Sequence, residues 1–113
     1  AEAHAGIVTS PAVVDRFLDA LWIEDGLAAN TLQAYRRDLT LYAAWLEGKP
    51  LEQSSESDLL GYIAARHAGS KATSANRRLT VFKRFFRWAL RERLIEADPT
   101  LRAGYILVRE TEG

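Results

Sequence analysis

The 113-residue chain contains no cysteine and no methionine. Without cysteine there is no disulfide framework and no thiolate metal site, and a cytoplasmic location is the default expectation. Without methionine, the chain is expected to begin after any initiator, as an excised domain does. Its two histidines, His4 and His67, are separated by most of the chain and form no ligand pair. No apolar run approaches the ~20 residues needed to span a bilayer. The opening AEAHAGIVTS has no basic region followed by an apolar core, which argues against a secretory signal. Strand-like alternation is missing, as is any repeat at a fixed period. So are the usual catalytic constellations: no serine in a GxSxG context, no glycine-rich loop from strand to helix, no hint of a desolvated carboxylate pair. The chain is therefore expected to hold no metal or cofactor and to carry no catalytic residue.

Net charge is absent too, with 15 basic and 15 acidic side chains, but the balance is uneven along the chain. Residues 1–30 carry −4, residues 31–53 are neutral, residues 54–70 carry −1, residues 71–102 carry +6 and residues 103–113 carry −1. An acidic first quarter and a basic later segment suggest an anionic partner for one face only.

What is present is helical periodicity. Residues 1–9 read as a loose leader. Ser10-Pro11 is a helix start, with a hydroxyl to cap and a proline where no N–H is needed. The first helix then runs to about Asp25, burying Val14, Phe17, Leu18 and Leu21, and Gly26 ends it. Trp22 and Ile23, at the edge of that stripe, are expected to be second-layer core. A second helix runs from about Ala28–Thr31 to Gly48, with Leu32, Tyr35, Leu39, Tyr42, Ala43 and Leu46 inward and Asn30, Gln33, Arg36, Arg37 and Thr40 outward. A shorter third helix is capped by Ser54 or Ser55, with Asp58 in its first turn, and Leu59, Leu60, Tyr62 and Ile63 point inward. Tyr35, Tyr42 and Tyr62 fall on apolar faces and are expected to pack. His67 is expected on the surface.

The fourth helix, Thr73 to Arg93, is the most polarised. At about 100° per residue, Ala75, Leu79, Phe82, Phe85, Phe86, Ala89 and Leu90 gather on one side. Asn76, Arg77, Thr80, Arg84, Arg87 and Arg91 gather on the other, and Trp88 falls opposite Leu79. A break follows near Glu96–Pro99, and 102–113 is a tail or linker. The expectation is a single all-α domain over residues 10–101, a compact four-helix bundle.

Two of these helices, the second and fourth, share one kind of polar face. Arginine supplies charge to phosphates and bidentate bonds to guanine, and Asn or Gln can read adenine. Asn30-Thr31 and Thr73-Ser74 stand where helices begin, positions that either cap the helix or favour a phosphate.

On these residues the chain resembles a known family. LAANTLQAYRRDLTLYAAWL, with its NT-x-x-x-Y-x-x-D-L pattern, and KATSANRRLTVFKRFFRWALRERLIEADPTL are similar to the second- and fourth-helix signatures of the N-terminal core-binding domain of tyrosine site-specific recombinases and phage integrases. The Xer-type recombinases, which resolve chromosome dimers, look most similar, over about Pro11 to Leu101. The resemblance implies a SAM-like orthogonal helical fold. It also implies a role in site-specific recombination and DNA integration, with the second and fourth helices at the major groove of inverted-repeat double-stranded DNA. Partners would be a C-terminal catalytic domain of the same parent protein and other recombinase subunits, with no membrane. By position it points to Thr31, Gln33, Arg36 and Arg37, and to Ser74, Asn76, Arg77, Thr80, Arg84 and Arg87. Asn30 and Lys71 join them as helix-start residues. The family's nucleophilic tyrosine belongs to the catalytic domain, so no tyrosine here is expected to be catalytic. Where the family often has a capping Ser on the second helix this chain has Ala28, which shifts the expected cap to Asn30. The alternative is a helical protein–protein interaction module that binds no DNA.

Overall fold

The computed structural model of the chain describes residues 12–67 and 71–101. The expected helix start at Ser10-Pro11, the leader 1–9 and the tail 102–113 lie outside the described residues. All regular structure among the described residues is helical. The chain divides into two compact units, Ala1–Glu52 and Gln53–Gly113.

In the first unit, α1 covers residues 12–20 and passes without a break into a π-helical turn, Leu21–Asp25. Gly26 closes it at φ 63°, a left-handed conformation open to glycine at little cost. Val13, Val14, Phe17, Leu18 and Leu21 are buried, the i, i+3, i+4 spacing of one helix face. Burying a side chain of this size contributes roughly 1.5–3 kcal/mol. Trp22 and Ile23 are not second-layer core: they are 57% and 78% exposed. The π-turn has more than 3.6 residues per turn, so it rotates these two off the stripe that the α-helical wheel assigns them.

Helix α2 spans Ala29–Trp45. Its N-cap is Ala28, in extended geometry and with no side-chain cap bond, rather than Asn30. Asn30 and Thr31 are instead the second and third residues of the helix. Tyr35, Asp38, Leu39 and Tyr42 are buried, and the Tyr42 ring stacks near Trp45 at 6.3 Å between centroids. The NT-x-x-x-Y-x-x-D-L pattern is thereby explained in part: its Tyr, Asp and Leu hold the fold, while the positions between them face out. The helix ends three residues earlier than expected. Glu47 at φ 53° and Gly48 at φ 96° turn the chain out of it, and a short 3₁₀ turn, Leu51–Gln53, follows with Leu51 buried.

In the second unit, α3 spans Glu56–His67. Ser55 and Asp58 form a reciprocal capping box. The Asp58 N–H donates to Ser55 Oγ at 3.1 Å, and the Ser55 N–H donates to Asp58 Oδ2 at 2.9 Å. Helix α4 spans Ala72–Arg91 after Lys71 as N-cap, again with no side-chain cap bond. Thr73 and Ser74 are therefore inside the helix rather than capping it. The helix ends in a Schellman motif: the Leu94 N–H donates to the Ala89 carbonyl at 2.9 Å and the Arg93 N–H to the Leu90 carbonyl at 3.1 Å, with Arg93 left-handed at φ 62°.

The core of this unit is aromatic. Tyr62 of α3 lies 6.0 Å from Phe82 of α4 between ring centroids, and Phe85 meets Phe86 edge-on at 5.0 Å and Trp88 at 6.0 Å. Such pairs add ≈ 0.5–1.5 kcal/mol each beyond the area they bury. The buried face of α4 is Arg78, Val81, Phe82, Phe85, Phe86, Trp88 and Ala89. It is turned from the expected face toward Val81 and Trp88, and Leu90 is 39% exposed instead of buried. Beyond α4, the Asp98 carboxylate accepts from the Thr100 N–H at 2.8 Å and the Thr100 hydroxyl at 2.6 Å, opening a new helical turn just after Pro99.

Candidate nucleic-acid interface

Each unit presents one polar helix face. On α2, Asn30, Gln33, Arg36, Arg37 and Thr40 are exposed and Thr31 is partly covered. These residues do not act alike. Arg36 Nη1 donates to Asp15 Oδ1 of α1 at 2.6 Å, with the two side chains 51% and 57% exposed. Gln33 and Arg36 also share an open groove of about 450 Å³ with Leu18, Asp19, Trp22, Ala29 and Leu32. Arg37 lies roughly 100° further round the helix, away from that groove with Asn30. The α2 cations thus divide into one held by a carboxylate and one on the open side.

On α4 the polar side chains form one row. Thr73, Asn76, Arg77, Thr80, Arg84, Arg87 and Arg91 fall within a sector of roughly 100°. Asn76, Thr80 and Arg87 are exposed, and Arg77 and Arg84 are partly covered. The Thr80 hydroxyl donates back to the Asn76 carbonyl at 3.0 Å, which leaves its oxygen to accept. Arg91 sits at the end of the row, 3.4 Å from Glu92. From Thr73 to Arg91 the row runs about 27 Å at 1.5 Å per residue. No Asp or Glu occurs between Lys71 and Arg91. Ser74 falls off this row by the same geometry, toward the side of Trp88, and Lys71 precedes it.

Both helix starts leave backbone N–H groups that no side chain caps, at Ala29 to Thr31 and at Ala72 to Ser74. Together with the macrodipole, these groups favour an anion.

Two ionisable residues lie inside rather than on the polar faces. Asp38 is 3% and Arg78 is 6% exposed. A buried charge is costly unless satisfied, which gives both a structural role rather than a ligand-binding one. The signal was available. Asp38 stands three residues after Tyr35 and four before Tyr42, and Arg78 stands three before Val81 and four before Phe82, on the buried faces of their helices. Among the described residues, no group of three His, Asp or Glu side chains could hold a metal ion, and no helix is long and apolar enough to cross a membrane.

The helical fold and the two signatures place the chain in a class. It belongs to the family of phage integrase N-terminal SAM-like domains, whose pattern it matches over residues 14–93, a little inside the limits expected from sequence. Among individual proteins it is similar to the tyrosine recombinase XerD of Ralstonia nicotianae, at 65% identity over 94 residues, 81% of this chain and 30% of that protein. It is also similar to the XerD proteins of Pseudomonas aeruginosa, at 48% over 92 residues, 79% of this chain and 31% of that protein, and of Proteus mirabilis, at 44% over 91 residues, 78% and 29%. The chain spans less than a third of the length of these relatives. It corresponds to the N-terminal domain of a tyrosine recombinase.

Proposed function

We propose that this domain grips recombination-site DNA through α2 and α4, while a catalytic domain elsewhere in the parent protein breaks and rejoins the strands. The observation that carries the reading is the α4 row: cationic and amide side chains along about 27 Å, with no carboxylate among them. An α-helix of about 10–12 Å diameter fits a major groove ≈ 12 Å wide, so this row can enter one.

The roles follow from chemistry. Arg77, Arg84 and Arg87, with Lys71 at the helix start, neutralise phosphates, and an arginine that reaches a base edge can hold guanine through two bonds. Asn76 and Gln33 carry the amide suited to adenine. Thr31 and Thr80 supply hydroxyls, and the uncapped N–H groups near Asn30 and Ser74 offer phosphate sites. Arg37 adds charge from α2. In this reading the chain performs no strand cleavage and needs no cofactor. Its partners are duplex DNA carrying an inverted-repeat site, the parent protein's catalytic domain, and further recombinase subunits on the same DNA.

A labelled duplex with an inverted-repeat recombination site, titrated with the 113-residue chain, tests the proposal. Weak binding that fades steeply with added salt supports it, and no binding at low salt counts against it. A protein-interaction surface is the second reading, favoured by the exposed Trp22 and Ile23. Size-exclusion chromatography with and without DNA separates the two, because only that reading requires association in the absence of DNA.

A further inference from the structure

The acidic character of α1 has a specific neighbour on α2. Between residues 12 and 25 the chain carries Asp15, Asp19, Glu24 and Asp25 against Arg16 alone. One of these carboxylates, Asp15, accepts a 2.6 Å charge-assisted bond from Arg36, and another, Asp19, lines the same groove as Arg36. Arg37, the next residue, has no place in that groove. Two adjacent arginines of one helix therefore stand in different electrostatic surroundings.

We infer that Asp15 is a positioning residue that restrains Arg36, so that α2 engages phosphate chiefly through its Arg37 side. The inference rests on the DNA-binding reading of α2. A phosphate approaching Arg36 meets a guanidinium already neutralised by a carboxylate. It must either displace Asp15 or sit within a few ångströms of a like charge. In both cases the gain from Arg36 is small, and so is its share of the released counterions. The pair is half exposed, so the restraint is modest and reversible. It lowers indiscriminate attraction to DNA on the α1 side of the helix without removing the cation. Asp15 touches no DNA in this account; it acts through Arg36.

A double-mutant cycle on the 113-residue chain tests this, read by fluorescence anisotropy on the same duplex across a salt series. Asp15→Asn keeps the shape and removes the charge. Affinity near 0.1 M salt is expected to rise about two- to five-fold, and the slope of log K against log[salt] to steepen by up to about 0.9, one further phosphate neutralised. In an Arg36→Ala background, Asp15→Asn is expected to change neither. Glu24→Gln removes the same charge from the π-helical turn, nine residues further along the chain and outside the groove that Arg36 lines, and is expected to have a smaller effect. An equal gain from Asp15→Asn with and without Arg36 overturns the inference in favour of general charge. No gain from Asp15→Asn, while Arg77→Ala with Arg84→Ala weakens binding, overturns the inference and leaves the DNA-binding reading standing. If that helix-four pair changes nothing, the reading itself fails and this inference falls with it.

Discussion

Gly26→Ala puts a side chain on a residue held at φ 63°. Beyond the two flanking residues, no atom lies within 4 Å of the Cβ it would add, so tertiary crowding contributes nothing. What remains is backbone strain, about 1–2 kcal/mol for a non-glycine residue in the left-handed region. Against it stands the lower entropy of the unfolded alanine chain, about 0.4–1 kcal/mol. Taking the middle of each range, the net loss is about 0.8 kcal/mol. At about 4–8 °C per kcal/mol for a domain of this size, Tm falls by about 3–6 °C. Arg93→Gly is the mirror experiment. Arg93 already sits at φ 62° in the Schellman motif of α4, and replacing it with glycine is expected to raise Tm by a similar amount. Thermal unfolding followed by far-ultraviolet circular dichroism measures both. An unchanged or raised Tm for Gly26→Ala, or a lowered Tm for Arg93→Gly, would refute the strain argument.

Other expected outcomes concern the caps and the core. Ser55→Ala removes the hydroxyl that accepts from Asp58 N–H and is expected to cost about 1 kcal/mol in a denaturant titration. Phe82→Ala empties a fully buried site beside Tyr62 and is expected to cost about 3–5 kcal/mol, enough to unfold much of the population at physiological temperature. Ile23→Ser, at a residue 78% exposed, is expected to stay within about 0.5 kcal/mol of the parent. A larger loss there would mean that the side chain is covered in solution.

Helix existence was legible because the apolar positions keep a 3.6-residue period over long stretches, and the family was legible from two signatures in order. Which way each face points was less so, for physical reasons. On α4 the wheel favoured the sector with the most apolar residues and so included Leu79 and Leu90. The structure instead turns the helix toward Val81 and Trp88. Trp88 has a large area to bury and packs beside Phe85, and Arg78 can lie inside because its stem is apolar. On α1 the wheel failed where the π-turn changes the period, at Trp22 and Ile23. The starts of α2 and α4 differ from expectation for another reason, whereas the Ser55 cap of α3 stands where the sequence puts it. Ser, Thr and Asn near a start suggest caps, but Ala28 and Lys71 take the cap positions through backbone geometry alone. The same shift moves Asn30, Thr31, Thr73 and Ser74 into the first turns, among the free N–H groups. The surroundings of Arg36 were illegible in the sequence, since its partner Asp15 is 21 positions away.

The central claim is that the α4 row meets phosphates. The most direct measurement is the salt slope of DNA binding for the parent chain and for Arg77→Ala with Arg84→Ala. The account predicts weaker binding at every salt concentration and a slope shallower by about 1.8, two phosphate contacts at about 0.9 each. An unchanged affinity and slope, with the double variant folded as the parent is, would contradict it.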